Sequence, residues 1–222
     1  LSPQSADRIY DRIAERLEQP EFRPRALFER FNIEAIATTE GALDDLKWHD
    51  MIRASGWAGK VVTAYRPDGV VDPEFEGFAG NLERFGEQTG EDVTGWAGYL
   101  AAHRKRRAYF KERGATSSDH GHASARTANL SKAECEKLFA KVVQGKASAE
   151  DADLFRGQML TEMAKMSLDD GLVLQIHPGS VRNHNPHLFG TFGRDMGADI
   201  PRQTDYVAAL KPLLDAVGNE RN

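Results

Sequence analysis

Three short strings hold most of the side chains that could do chemistry. They are Tyr65-Arg66-Pro67-Asp68, then Ser117-Ser118-Asp119-His120-Gly121-His122, then His177-Pro178-Gly179-Ser180 followed by Arg182-Asn183-His184-Asn185. A guanidinium such as Arg66 presents a planar fork of donors that matches a carboxylate. A carboxylate such as Asp119 can orient a hydroxyl, act as a base or bind a metal, and an imidazole such as His177 can move a proton near neutral pH or ligate a metal. Converging on one rim, the three suit an anionic substrate that undergoes proton transfer. Plainer readings stand beside these: a salt bridge from Arg66 to Asp68 or another loop acid, an Asx turn before Gly121 for Asp119, and a hydrogen-bonded structural role for His177.

His120 and His122 alternate, which places two imidazoles on one side of an extended chain. Two histidines make an incomplete metal site, so a supporting role behind a ligand, or solvent exposure, is the expectation for them. His177 ends the most apolar run and precedes a Pro-Gly turn, which makes it the better candidate for a metal ligand. The basic run His103-Arg104-Lys105-Arg106-Arg107 resembles a nucleic-acid patch, but helical rotation spreads it around the axis, and the expectation is a mostly solvated face. Met159, Met163 and Met166 form a stripe at helical spacing that core packing explains. Cys135, the single cysteine, excludes an internal disulfide and has no base nearby to make it a nucleophile. Phosphate-cradling glycine fingerprints are absent.

The elements that must position these groups follow from periodicity. Apolar, β-branched runs at residues 33–39, 60–65, 115–118 and 172–176 read as strands, and helical pattern follows each. The chain opens in a helix over 4–18, and Leu43, Leu46 and Ile52 mark another ending near Gly56. Further helices are expected with Phe78, Leu82 and Phe85, over about 95–113, from a capping box at Ser131 and Glu134, from a second start signal at Ser148 to Asp151, and over 210–217. Strands alternating with helices imply an α/β fold with parallel pairing and right-handed crossovers. In such folds substrates bind beyond the carboxyl ends of the strands, which is where the three strings sit.

With 222 residues, 40% of them hydrophobic, and a net charge of −5, the composition is that of a folded globular chain rather than a disordered or collagenous one. No apolar run reaches the roughly 18 residues of a spanning helix, and the acidic balance does not favour nucleic acid or an anionic membrane as partner. The chain reads as cytoplasmic. Four βα units are awkward as a finished domain, since a barrel of this kind needs eight strands, and the sequence looks cut at both ends.

The strand-end strings closely resemble those of the glucuronate (uronate) isomerase family of the amidohydrolase superfamily. The likeness rests on Arg23-Pro24-Arg25-Ala26-Leu27-Phe28-Glu29-Arg30-Phe31-Asn32-Ile33-Glu34, Ala37-Thr38-Thr39, Thr63-Ala64-Tyr65-Arg66-Pro67-Asp68, Ser118-Asp119-His120-Gly121 and Gln175-Ile176-His177-Pro178-Gly179. It implies part of a (β/α)8 TIM barrel, with the four strands as barrel strands two to five, residues 1–20 ending a helical insertion and residues 21–222 forming the partial barrel. It implies an aldose–ketose isomerase that interconverts D-glucuronate with D-fructuronate and D-galacturonate with D-tagaturonate. Arg66 matches the family's substrate-contacting arginine, Asp119 its active-site aspartate and His177 the fifth-strand metal-site histidine. Arg182 and Asn183, on the same rim, join Arg66 and Asp119 as expected substrate contacts. One divalent, zinc-like metal is implied for the longer parent protein, its first-strand His-x-His and eighth-strand Asp lying outside this sequence, so that the site here is incomplete. The expected partner is a small sugar acid, with a homo-oligomeric parent. A metal-dependent hydrolase of the same superfamily, and a non-catalytic binding module, are the competing readings.

Overall fold

Four strands, β1 (Ile36–Gly41), β2 (Val61–Arg66), β3 (Ser117–His120) and β4 (Val173–Ile176), form one sheet in the order β1-β2-β3-β4. The structure, a computed structural model, describes residues 2–220. β2 and β4 both pair parallel to β3, with Tyr65 opposite Ser118, Asp119 opposite Gln175 and His120 opposite Ile176. The alternation of strands with helices and the parallel pairing follow the sequence reading. The helices are α1 (Ala6–Leu17), α2 (Pro24–Arg30), α3 (Lys47–Ala54), α4 (Asp68–Val71), α5 (Phe78–Thr89), α6 (Trp96–Glu112), α7 (Lys132–Val143), α8 (Ala149–Asp170), α9 (Pro186–Phe192) and α10 (Tyr206–Val217). A two-stranded antiparallel sheet, β5 (Ser180–Val181) with β6 (Ile200–Pro201), completes the described elements.

Two of the strands start later than the apolar runs suggest, because the preceding helix takes the first residues of each run. The Ile33 amide donates to the Phe28 carbonyl and Asn32 turns to a φ of 52°, which closes α2 before β1 can begin. Likewise the Ala115 amide bonds back to Phe110 and ends α6. Leu43 and Leu46 are not helical. The Asp44 carboxylate accepts the Leu46 amide at 2.6 Å in a tight turn, Leu46 has a φ of 55°, and α3 starts only at Lys47. At the other end α10 begins at Tyr206 rather than at 210, because Asp205 caps the amides of Val207 and Ala208.

The chain divides into two compact units, residues 1–38 with 47–62, and residues 39–46 with 63–222. In the first, Phe28 meets Trp57 edge-on at 4.8 Å, and the Trp57 indole donates to Glu29 at 3.0 Å. Here Ile13 and Leu17, one helical turn apart on α1, stay exposed and have no cover among the described residues. In the second unit, Tyr65, Phe85, Tyr99, Phe110, Phe139 and Phe155 join Met159, Met163 and Met166 in one core, the methionine stripe acting as packing as its spacing implies. Both capping boxes are present: Ser131 with Glu134 starts α7, and Ser148 with Asp151 starts α8.

The basic run on α6 departs from the expected solvated face. His103, Arg106 and Arg107 are buried, and Arg104 and Lys105 alone stay outside. Burial is tolerable because each buried cation has partners. Arg107 donates to both oxygens of Asp170, at 2.6 and 2.9 Å, and to Ser167 at 2.9 Å. Arg106 donates to the carbonyls of Ala42 and Asp44 at 2.8 and 2.6 Å, and His103 meets the Tyr65 hydroxyl at 2.8 Å.

Candidate active site at the strand ends

Arg66 closes β2, Asp119 lies within β3 and His177 follows β4, so three neighbouring strands bring these groups to their carboxyl-terminal ends. Asp119 joins the other two. One of its carboxylate oxygens is 3.6 Å from the Arg66 guanidinium, and the other is 3.0 Å from Nε2 of His177. The Asp119 side chain is only 12% exposed, whereas His177 is 40% exposed and reachable. All four residues of β3 are buried although none is apolar, so this strand is held in place by its ladder and its neighbours rather than by hydrophobic matching.

Arg66 has a second carboxylate partner. Its Nε donates to Asp68 at 2.7 Å, which is the plain salt bridge the sequence allowed, and the ion pair with Asp119 exists beside it. Burial works against the charge on Arg66, but the hydrogen bond and charge of Asp68, with Asp119 and Asp195 behind, more than offset this and hold its pKa above the ordinary value. Gly121 permits the arrangement. A Cβ there would strike the Arg66 guanidinium and lie 2.9 Å from Asp68 Oδ2.

An open cavity of about 420 Å³ adjoins these groups, lined by Arg66, Asp68, His122, Arg182, Arg194 and Asp195 among others. Asp119 and His177 are not in its lining and meet it through Arg66. Arg182 reaches the cavity and pairs with Asp195 at 3.6 Å. The Asn183 side chain instead accepts the Asp195 amide at 2.8 Å, so it shapes the loop rather than lining the cavity. Arg194, which sequence reasoning did not single out, lies over the Phe75 ring at 4.7 Å and lines the same space. Neither hydrophobic periodicity nor a strand end marks it.

Asp68, His120 and His122 form the group of His, Cys, Asp and Glu side chains that could hold a metal ion among the described residues, one ligand atom from each lying within 4.8 Å of the others. His177 is not in that group, and its ring is engaged by Asp119. Both histidines are buried rather than solvated, and desolvation holds His122 neutral, its pKa pushed down to about 4, with His120 well below its ordinary value for the same reason. The alternation of the two histidines marked them in the sequence. The missing signal was Asp68, more than fifty positions away.

Comparisons with known proteins bear on the family and the fold. The glucuronate isomerase family pattern matches residues 1–222. A uronate isomerase of Mesorhizobium japonicum is 68% identical over 222 residues, covering 100% of this chain and 47% of the relative, and one of Rhizobium meliloti is 66% identical over 221 residues, again covering 47% of the relative. The crystal structure of glucuronate isomerase from Caulobacter crescentus superposes with a TM-score of 0.92 at 59% identity, covering 99% of this chain and 46% of that one. That of uronate isomerase from Thermotoga maritima gives 0.86 at 26% identity, with 97% and 48% covered. The chain therefore spans about half the length of the relatives it matches. The four parallel strands and flanking helices are part of a TIM-barrel fold, and the chain belongs to the glucuronate isomerase family.

Proposed function

We propose that this chain supplies the central strands of a uronate isomerase, which interconverts aldose and ketose forms of a sugar acid by proton transfer between adjacent carbons. The observation that carries the reading is the Asp119 carboxylate, poised between a guanidinium at 3.6 Å and an imidazole at 3.0 Å. Isomerisation through an enediol needs a base, an acid and something that steadies negative charge on oxygen. Asp119 is held to accept a proton from a sugar hydroxyl or carbon, with His177 beside it. Arg66 and Arg182, both at the cavity, hold the substrate carboxylate and fix its orientation. The substrates are D-glucuronate and D-galacturonate.

A divalent, zinc-like metal belongs to this reading through His177, which is 40% exposed and whose ring Asp119 holds at 3.0 Å. Such an ion would polarise the substrate carbonyl as a Lewis acid. The remaining ligands are expected from the other half of the parent protein, which is proposed as homo-oligomeric.

In the full-length parent, Asp119→Asn is expected to lower kcat by about 10²–10⁴-fold, the range for a lost proton-transfer group. Arg66→Lys should act mainly through KM, because a point charge replaces a fork. The 222-residue chain alone should show no turnover of glucuronate in a coupled assay. Wild-type kcat in Asp119→Asn would overturn the assignment of Asp119.

A further inference from the structure

We infer that Asp68, His120 and His122 form a binding site for one divalent transition-metal ion of the zinc kind, separate from His177 and complete within this chain. Among the described residues, six buried side-chain nitrogen and oxygen atoms have no hydrogen-bond partner, and three of the six are Nδ1 of His120 and both ring nitrogens of His122. Orphaned buried polar atoms cost about 1–3 kcal/mol each. A neutral imidazole offers one lone pair and one N–H, so an ion beside the carboxylate would satisfy Nδ1 of His120 and one of the two His122 nitrogens.

The atoms around the cluster are tied as they are in metal sites. Nε2 of His120 faces the Ser118 hydroxyl at 3.3 Å, which leaves Nδ1 to point elsewhere. Oδ2 of Asp68 is held by Arg66, which leaves Oδ1 with only the Gly121 amide, at 3.3 Å, among the described residues. Partners on the far atom of each ligand are what orients ligands toward an ion.

Two imidazoles and one carboxylate suit zinc or a neighbouring first-row ion, and not calcium or magnesium, which take oxygen ligands. Donors of one zinc stand roughly 3.4 Å apart, so atoms now within 4.8 Å close on an ion through shifts of about 1 Å, within the reach of side-chain rotation. Asp68 and His122 line the cavity, so a fourth position opens onto it for water or a substrate oxygen. The negative charges of Asp68 and Asp72 face His122 and Arg156 opposes them, while Arg66 is occupied by Asp68 and Asp119.

The test uses the purified 222-residue chain, stripped with chelator and titrated with Zn²⁺ or Co²⁺. One equivalent should be retained per chain, with cobalt giving the visible absorption of a low-coordinate site. Ring-nitrogen NMR of the zinc-loaded chain should shift His120 and His122. Asp68→Asn and His122→Asn should each weaken retention at least a hundredfold, and His177→Asn should leave it within a factor of about three. Retention below a tenth of an equivalent in the unmodified chain would overturn the inference. So would retention lost in His177→Asn yet kept in His122→Asn, since the ion would then sit at the site proposed above. If the variants fail to fold, the ring-nitrogen shifts of the unmodified chain decide alone.

Discussion

Residue by residue, the site depends on small clearances more than on any single strong bond. Gly121 separates two histidines and leaves room for the Arg66 guanidinium and the Asp68 carboxylate. Gly121→Ala should therefore push Arg66 off Asp68 while sparing the fold, since the displaced group is the end of a flexible side chain. In the full-length protein KM for the proposed uronate substrate should rise about tenfold, with a stability change under about 1 kcal/mol by urea denaturation. An unchanged KM would show that the guanidinium position is unimportant. Arg66, Asp119 and His177 were legible in the sequence because each stands at a strand end, where apolar pattern gives way to polar groups. Asp68 was legible only as a partner for Arg66, and Arg194 not at all, because the closeness of Asp68 to His120 and His122 and of Arg194 to the cavity arises across the chain, where no local spacing reports it.

Helices were legible where they carry their own start signals and less so where a turn intervenes. Ser131 and Ser148 announce α7 and α8 through reciprocal bonds with Glu134 and Asp151, and Ser148→Ala should cost about 1 kcal/mol, read as a lower urea midpoint at unchanged m-value. The Leu43–Leu46 segment misled because Asp44 builds a turn that puts Leu46 in the core without helix. The α6 basic run misled because charge patterning cannot show that Asp170, at the end of α8 and three elements further on, pairs with Arg107. His103 on the same helix has a thermodynamic signature. Burial, then the charges of Arg107 and Arg104, push its pKa well below the usual 6.5. The unfolded chain thus binds a proton that the fold refuses, and stability must fall as pH falls below about 6.5. His103→Asn, which keeps a polar partner for Tyr65, should flatten the slope of unfolding free energy by about 1.4 kcal/mol per pH unit between pH 6 and 5, and an unaltered slope would refute this.

For the molecule as a whole, the outer strands matter most. β1 and β4 end the sheet, and Val173 of β4 is 64% exposed although its run is among the most apolar in the chain. An unpaired apolar edge is a template for another chain. Light scattering should show mass rising with protein concentration, and Val173→Lys should suppress the rise; a monomer at every concentration would count against an open edge. The chain matches relatives along only 47% of their length. The fold class was readable because alternation of strands with helices is written in periodicity. The strand count of the parent was not, since only the resemblance supplied it.

Asp68 gives one oxygen to Arg66 and also stands with His120 and His122 in the group proposed to hold an ion. A carboxylate shared in this way makes two neighbouring ligand sites thermodynamic partners. Whatever factor a cation on the imidazole side imposes on the grip of the guanidinium for an anion, the anion must return to the cation, so substrate acids and metals would titrate one another even with no atom in common.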